Sequence, residues 1–192
     1  MFESVVLLKS LLRKSVSSTK TRRLDEDQTY NQALAFFKKA TPVMGNIYIG
    51  SAFNACFPRR RYDFCINCAA GETASSMNSY DLYLKDTDNV VISDGQVDEM
   101  IDTFSQLYTR EGNILFNCWM GSSRSVAMCL LCVGTLVYQD KPDLPSEELF
   151  DQLYQDFKKK RPTINMSCRL KDRVIEYFNR SKKKVKDKKK PY

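Results

Sequence analysis

The most constraining feature of this 192-residue chain is a junction in its second half. The apolar run Asn113-Ile-Leu-Phe116 leads straight to Cys118, Gly121 follows, and an apolar helical stretch from about Ser123 to Val137 begins at once. A strand apolar along its length needs cover on both faces, which helices on a sheet provide. The flanking segments fit. Asn46-Ile-Tyr-Ile-Gly50 and the run from Tyr62 to Cys68 read as strands, and Leu82-Tyr-Leu84 as a third short one. Ala52–Phe57, Gln96–Tyr108, Ser146–Lys160 and Ser167–Arg180 read as helices; in the second, Val97, Ile101, Phe104 and Tyr108 share one face. Strands alternating with helices predict an α/β fold around a central sheet.

The outer segments differ in texture. Residues 1–40 read as an N-terminal extension. Val5, Leu8, Leu11 and Leu12 form an apolar stripe beside Lys9, Arg13 and Lys14, Ser15–Arg23 is linker, and Asp25–Ala40 is helical. The first part resembles a mitochondrial transit peptide except for Glu3; a docking or dimerisation helix fits equally well. Residues 41–181 form the domain, and 182–192 a disordered lysine-rich tail. That tail holds seven lysines and one aspartate, so it carries +6 of the net charge of +7 and leaves +1 for everything before it. A nearly neutral domain argues against a globally basic nucleic-acid binder. The tail itself suits a nuclear-import signal, a nucleic-acid contact or an anionic-membrane contact, without ranking them.

The chain contains no histidine. Ser-His-Asp and Cys-His pairs, and histidine metal sites, are therefore excluded within it. No apolar stretch is long enough to span a bilayer, and no signal-peptide layout precedes the domain. Cys56, Cys65, Cys68, Cys118, Cys129, Cys132 and Cys168 make an odd set, mostly among apolar neighbours, as reduced core thiols of an intracellular protein are. Two CxxC pairs fall on a strand and a helix rather than on knuckles, so core thiols are a better reading than zinc.

The chemistry gathers at Cys118-Trp-Met-Gly121-Ser-Ser-Arg124-Ser125. Loop amides converging in front of Cys118, with a helix N-terminus behind them, make a nest for a tetrahedral dianion. Arg124 offers a planar fork to two of its oxygens, the same positive field favours a Cys118 thiolate without a histidine base, and Gly121 permits the turn.

With that loop on the page, the chain resembles the compact dual-specificity branch of the cysteine-dependent protein tyrosine phosphatases. The likeness runs from about Asn46 to Asn179. It includes Ile47-Tyr-Ile-Gly50-Ser51, Asp63-Phe-Cys-Ile-Asn67, Lys85-Asp-Thr87, and Lys160-Arg-Pro162 with Asn165. The resemblance implies a central mixed sheet flanked by helices, no metal or other cofactor, and a phosphoprotein substrate. It implies that Cys118 attacks phosphorus to form a phosphocysteine, that Arg124 and the loop Trp119-Met-Gly-Ser-Ser123 hold the phosphate, and that Ser125 donates to the departing sulfur. Asp86, 32 residues before Cys118, becomes the general acid, with Asp88 its rival. Family members place histidine where this chain has Asn117, which can still donate to a backbone carbonyl and close the loop. Cys68 is a redox partner for Cys118 or a plain core thiol.

Three functions follow. The leading one is a phosphatase open to phosphotyrosine, phosphoserine and phosphothreonine, because no long phosphotyrosine-recognition segment precedes the domain. The others are a phosphoprotein-binding pseudophosphatase and a 5′-RNA phosphatase. The first helix resembles the dimerising extension of virus-encoded members. Location is expected to be cytoplasmic or nuclear, ahead of mitochondrial.

Overall fold

The computed structural model describes residues 36–58, 61–72, 78–85, 93–109 and 112–188, with side chains through Lys183. Contacts divide the chain into Met1–Leu34 and Ala35–Tyr192, and every described residue belongs to the second unit. The short helix and linker expected over 1–24, most of the helix expected over Asp25–Ala40, the end of the tail, and both Asp86 and Asp88 lie outside the described residues; of that second helix the described part is helical at Phe36 and Phe37 but not at Lys38–Ala40.

A five-stranded sheet forms from β1 (Thr41–Met44), β2 (Ile47–Ser51), β3 (Phe64–Asn67), β4 (Ser79–Asp81) and β5 (Ile114–Cys118), in the order β1-β2-β5-β3-β4. Its helices are α1 (Ala52–Cys56), α2 (Asp94–Tyr108), α3 (Arg124–Asp140), α4 (Ser146–Lys160) and α5 (Cys168–Lys188). The central position of β5 follows from its composition: all five residues are buried, as a strand covered on both faces requires. It pairs in parallel with β2 and β3, and only β1 is antiparallel, to β2, through a turn in which Gly45 adopts φ 51°. The sheet is mixed and flanked by helices, as expected.

Period-two alternation sorts the side chains. Ile47, Ile49, Ile66, Ile114 and Phe116 join the main core beneath α2–α5, while Tyr48, Cys65 and Leu115 line a smaller cluster with Ala55 and Tyr62. Helix α3 is buried almost throughout because it lies between the sheet and the other long helices. Gly134 brings α5 against it: a Cβ there would stand 2.2 Å from Phe178 Cζ. Helix α2 starts with a capping box, Ser93 Oγ accepting from the Gln96 N–H and Gln96 Oε1 from the Ser93 N–H, each at 3.3 Å. Helix α4 carries Glu147 and Glu148 in its first turn and Lys158–Lys160 in its last, the distribution its dipole favours.

Three expectations need correction. The third short strand lies at Ser79–Asp81, not Leu82–Leu84. Leu82 and Leu84 are buried, but there the chain is leaving the sheet, and the Leu84 carbonyl bonds Arg124 instead of a strand. Strand β1 carries no apolar alternation and was not anticipated. The last helix passes Arg180 and runs to Lys188. No glycine or proline interrupts it, lysine is a good helix former, and Lys182 Nζ donates to the carbonyls of Asp143 and Leu144 at 3.2 and 3.0 Å. Residues 182–188, read from sequence as the start of a disordered tail, are therefore helical. Among the described residues no helix is long and apolar enough to cross a membrane.

Candidate active site

The parallel strands β2, β5 and β3 end together, with Ser51 opposite Cys118 and Asn67 opposite Asn117. Sites in open α/β sheets form at such carboxyl ends, and there the chain turns sharply to begin α3.

Cys118 is 2% exposed at the end of β5. Its Sγ lies 3.3 Å from Ser125 Oγ and accepts the Gly121 N–H at 3.3 Å. Ser125 is buried in the first turn of α3, one residue after Arg124, so the strand–loop–helix geometry folds Ser125 back over the sulfur. Gly121 holds the loop closed. It has φ 68°, a left-handed conformation that favours glycine, and a Cβ there would meet Gly50 O at 2.3 Å. Trp119, Met120, Ser122 and Ser123 are half-buried around the mouth.

The loop's carbonyls are taken up from outside. Trp119 O accepts the Ala52 N–H at 3.2 Å, and Ser122 O the Asn165 N–H at 2.9 Å. Met120 O and Gly121 O accept Nη2 and Nε of Arg161 at 3.3 and 2.8 Å. In a trans peptide the next N–H points the opposite way from the carbonyl. Outward carbonyls at 119–122 therefore turn the amides of 120–123 inward, where a dianion nest needs them.

Arg124, the first residue of α3, is 2% exposed. Its Nη1 and Nη2 form a bidentate pair with Glu72 Oε1 and Oε2 at 2.9 and 3.0 Å, and Nη1 also donates to Leu84 O at 2.7 Å. Those bonds occupy the end-on edge of the guanidinium.

One sequence reading changes. Asn117 does not brace the loop. Its Oδ1 accepts from Cys65 Sγ at 2.7 Å and its Nδ2 donates to Asn67 Oδ1 at 3.3 Å, because alternation on β5 turns it to the face opposite Cys118 and toward β3. Cys68 is wholly buried in the core cluster that contains Cys118. Burial first, and then the neighbouring Cys118, push its thiol well above the ordinary range.

Glu72 carried no functional signal in the sequence, and Arg161 none beyond its place in the Lys160-Arg-Pro162 likeness. Glu72 sits in a turn after β3 and meets Arg124 only through the fold. Arg161 is fully buried after the last turn of α4. The Trp119 ring packs on Phe36 at 5.4 Å, and Phe37, Phe53 and Phe57 extend this aromatic group, with Phe37 and Phe57 exposed. Among the described residues no cluster of cysteine, aspartate or glutamate is arranged to hold a metal ion.

Solved structures share this fold. DUSP15 superposes with a TM-score of 0.62 at 20% identity, over 78% of this chain and 94% of DUSP15. The fold is that of the dual-specificity phosphatases. Human DUSP28 gives 0.60 at 16% identity, over 75% of this chain and 99% of its own. OH1 from the Orf virus, described as a tyrosine phosphatase with distinct structural features and triple substrate specificity, gives 0.56 at 14%, over 79% and 95%. No protein-family model and no curated protein matches the sequence.

Proposed function

We propose that this chain is a protein phosphatase that hydrolyses phosphotyrosine, phosphoserine and phosphothreonine through a phosphocysteine. The observation that carries this is the Cys118 sulfur at the floor of an inward-facing amide loop, with Ser125 and the Gly121 N–H each 3.3 Å away and Arg124 buried beside it.

The Cys118 thiolate attacks phosphorus in line, the P–S bond forms as the P–O bond to the substrate breaks, and the Asp86 carboxyl gives its proton to the leaving oxygen. In the second half, the Asp86 carboxylate takes a proton from water, the water oxygen bonds phosphorus, the P–S bond breaks and inorganic phosphate leaves. Ser125 Oγ stabilises the departing thiolate. The amides of 120–123 and Arg124 carry the charge of the transferring group throughout, so the chemistry asks for no metal. Trp119 and Met120 form the rim over which a phosphorylated segment would lie. Cys68, within the same cluster as Cys118, would serve as a reversible disulfide partner that spares the nucleophile from overoxidation.

A second reading, a phosphoprotein-binding pseudophosphatase, draws on two observations. The Glu72 carboxylate partly neutralises Arg124, and Asn117 leaves the loop without a brace at that position. Turnover of p-nitrophenyl phosphate separates the readings. The phosphatase reading expects activity that vanishes in Cys118→Ser and falls roughly 10²-fold in Asp86→Asn; wild-type turnover equal to Cys118→Ser, with phosphopeptide binding retained, selects the second.

A further inference from the structure

Among the described residues the buried charged side chains are Arg124 and Arg161, and the mechanism gives Arg161 no step. It is 0% exposed, in the first residue beyond α4, where its N–H closes the helix on Phe157 O at 2.8 Å. Its guanidinium fans out in two directions. Nε and Nη2 donate to Gly121 O and Met120 O of the loop at 2.8 and 3.3 Å, while Nη1 donates to Lys39 O and Thr41 Oγ1, both at 3.3 Å. A side chain needed only to fill this space would be apolar, since burying a cation is costly unless its charge is used.

The loop shows what the charge is used for. The peptide unit joining Met120 and Gly121 presents its carbonyl to Arg161 and its N–H to Cys118 Sγ, on opposite sides, as a trans peptide must. The next unit presents the Gly121 carbonyl to the same guanidinium, which directs the Ser122 N–H inward. Two adjacent carbonyls aimed at one point outside the loop repel each other, and a cation with two donors in one plane relieves that repulsion. Lysine has one ammonium centre and cannot match both carbonyls in this way. Asn117, whose amide is committed to Cys65 and Asn67, does not share the work.

We propose that Arg161 is the positioning residue of the anion nest: it holds the Met120 and Gly121 carbonyls outward and so aims the Gly121 and Ser122 amides at an anion in front of Cys118. This rests on reading the loop as a phosphate-binding nest, but not on turnover. Burial lowers the pKa of Arg161, while the charge of Cys118 raises it; with an ordinary value far above neutrality, the guanidinium remains charged at neutral pH. The charged or titratable groups around the nest are thus Arg124 with its partner Glu72, Arg161, Cys118 and Cys68.

The test compares alkylation of Cys118 by iodoacetate, an anion, and by iodoacetamide, its neutral counterpart. The full chain is used, with modification read at the Cys118 peptide by mass spectrometry. An inward-facing nest concentrates the anionic reagent, so the wild-type chain should favour iodoacetate by roughly tenfold, the lower end of local electrostatic enrichment. Inorganic phosphate should protect Cys118. In Arg161→Gln the ratio should fall to near one and phosphate protection should weaken by a similar factor, with the melting temperature recording whether the variant is folded. Arg161→Lys keeps the charge without the fork and should fall several-fold below wild type; it decides the matter if Arg161→Gln does not fold. A folded Arg161→Gln or Arg161→Lys with the wild-type ratio and wild-type phosphate protection overturns the proposal, and so does a wild-type chain that alkylates equally with both reagents. If the ratios behave as expected while p-nitrophenyl phosphate is not turned over, the nest stands and the catalytic reading alone fails.

Discussion

Gly121→Ala measures how firmly the loop is wedged against the sheet. The added Cβ faces two obstacles. At φ 68° an L side chain is strained, which costs about 1–2 kcal/mol. The Cβ would also lie 2.3 Å from Gly50 O, 2.5 Å from Gly50 C and 2.9 Å from Ser51 N. These are backbone atoms of β2, locked in register with β5, so no rotamer change relieves the contact and the loop itself must move by the better part of an ångström. Gly45→Ala isolates the first effect, because Gly45 has φ 51° and nothing within 4 Å of its Cβ position. In urea denaturation, Gly45→Ala should cost about 1 kcal/mol, and Gly121→Ala about 3 kcal/mol once overpacking is added. The larger difference belongs to kcat/KM on p-nitrophenyl phosphate. A displacement of that size at the loop should cost roughly 10²-fold in Gly121→Ala and almost nothing in Gly45→Ala. Equal destabilisation and an undiminished rate in Gly121→Ala would refute the close approach of loop and β2.

Other consequences follow from particular contacts. Glu72→Gln removes the carboxylate from the buried Arg124, and it should cost about 1–2 kcal/mol while tightening inorganic phosphate binding a few-fold in calorimetry. Unchanged phosphate affinity would show that Glu72 does not temper the charge of Arg124. Gly134→Ala would drive a Cβ to 2.2 Å from Phe178 Cζ; it should destabilise by about 1–3 kcal/mol with kcat intact, and Phe178→Leu should recover part of the loss in a double-mutant cycle. Burial and a hydrogen bond to Asp98 raise the Tyr177 hydroxyl well above the ordinary tyrosine value. The folded state thus holds this proton more tightly than the unfolded chain does. The resulting stability is complete below about pH 10 and is lost above it at up to about 1.4 kcal/mol per pH unit; Tyr177→Phe should flatten the alkaline limb of stability against pH, and an unaltered limb would count against it.

The parts of this fold that were legible in the sequence are those whose own residues decide their burial. Strand β5 and helix α3 are apolar nearly throughout, and Ser146–Lys160 is bounded by acidic and basic turns; each is found where it was read. The edge strands were not legible. β1 is four residues with a proline, and β4 is Ser-Tyr-Asp, held by pairing of Ser79 with Cys65 rather than by its own hydropathy. Leu82 and Leu84 signal burial correctly without being strand. At the site, Cys118, Arg124 and Ser125 stand out in the sequence because an apolar strand runs into the cysteine and a helix begins at the arginine, whereas Glu72 and Arg161 enter it from 52 and 43 residues away in sequence from Arg124 and Cys118. Only the fold creates those juxtapositions. Asn117 shows the reverse: its residue type allowed a loop bond, and strand alternation directed it to β3.

The most direct test of the central claim is a rapid acid quench during steady turnover of an aryl phosphate, with the chain digested and the phosphoryl group located by mass spectrometry. The account predicts one phosphoryl group on Cys118, accumulating further in Asp86→Asn when the leaving group is good enough to depart unprotonated, and absent in Cys118→Ser. Turnover that survives Cys118→Ser, or a phosphoryl group found on any other residue, would contradict it.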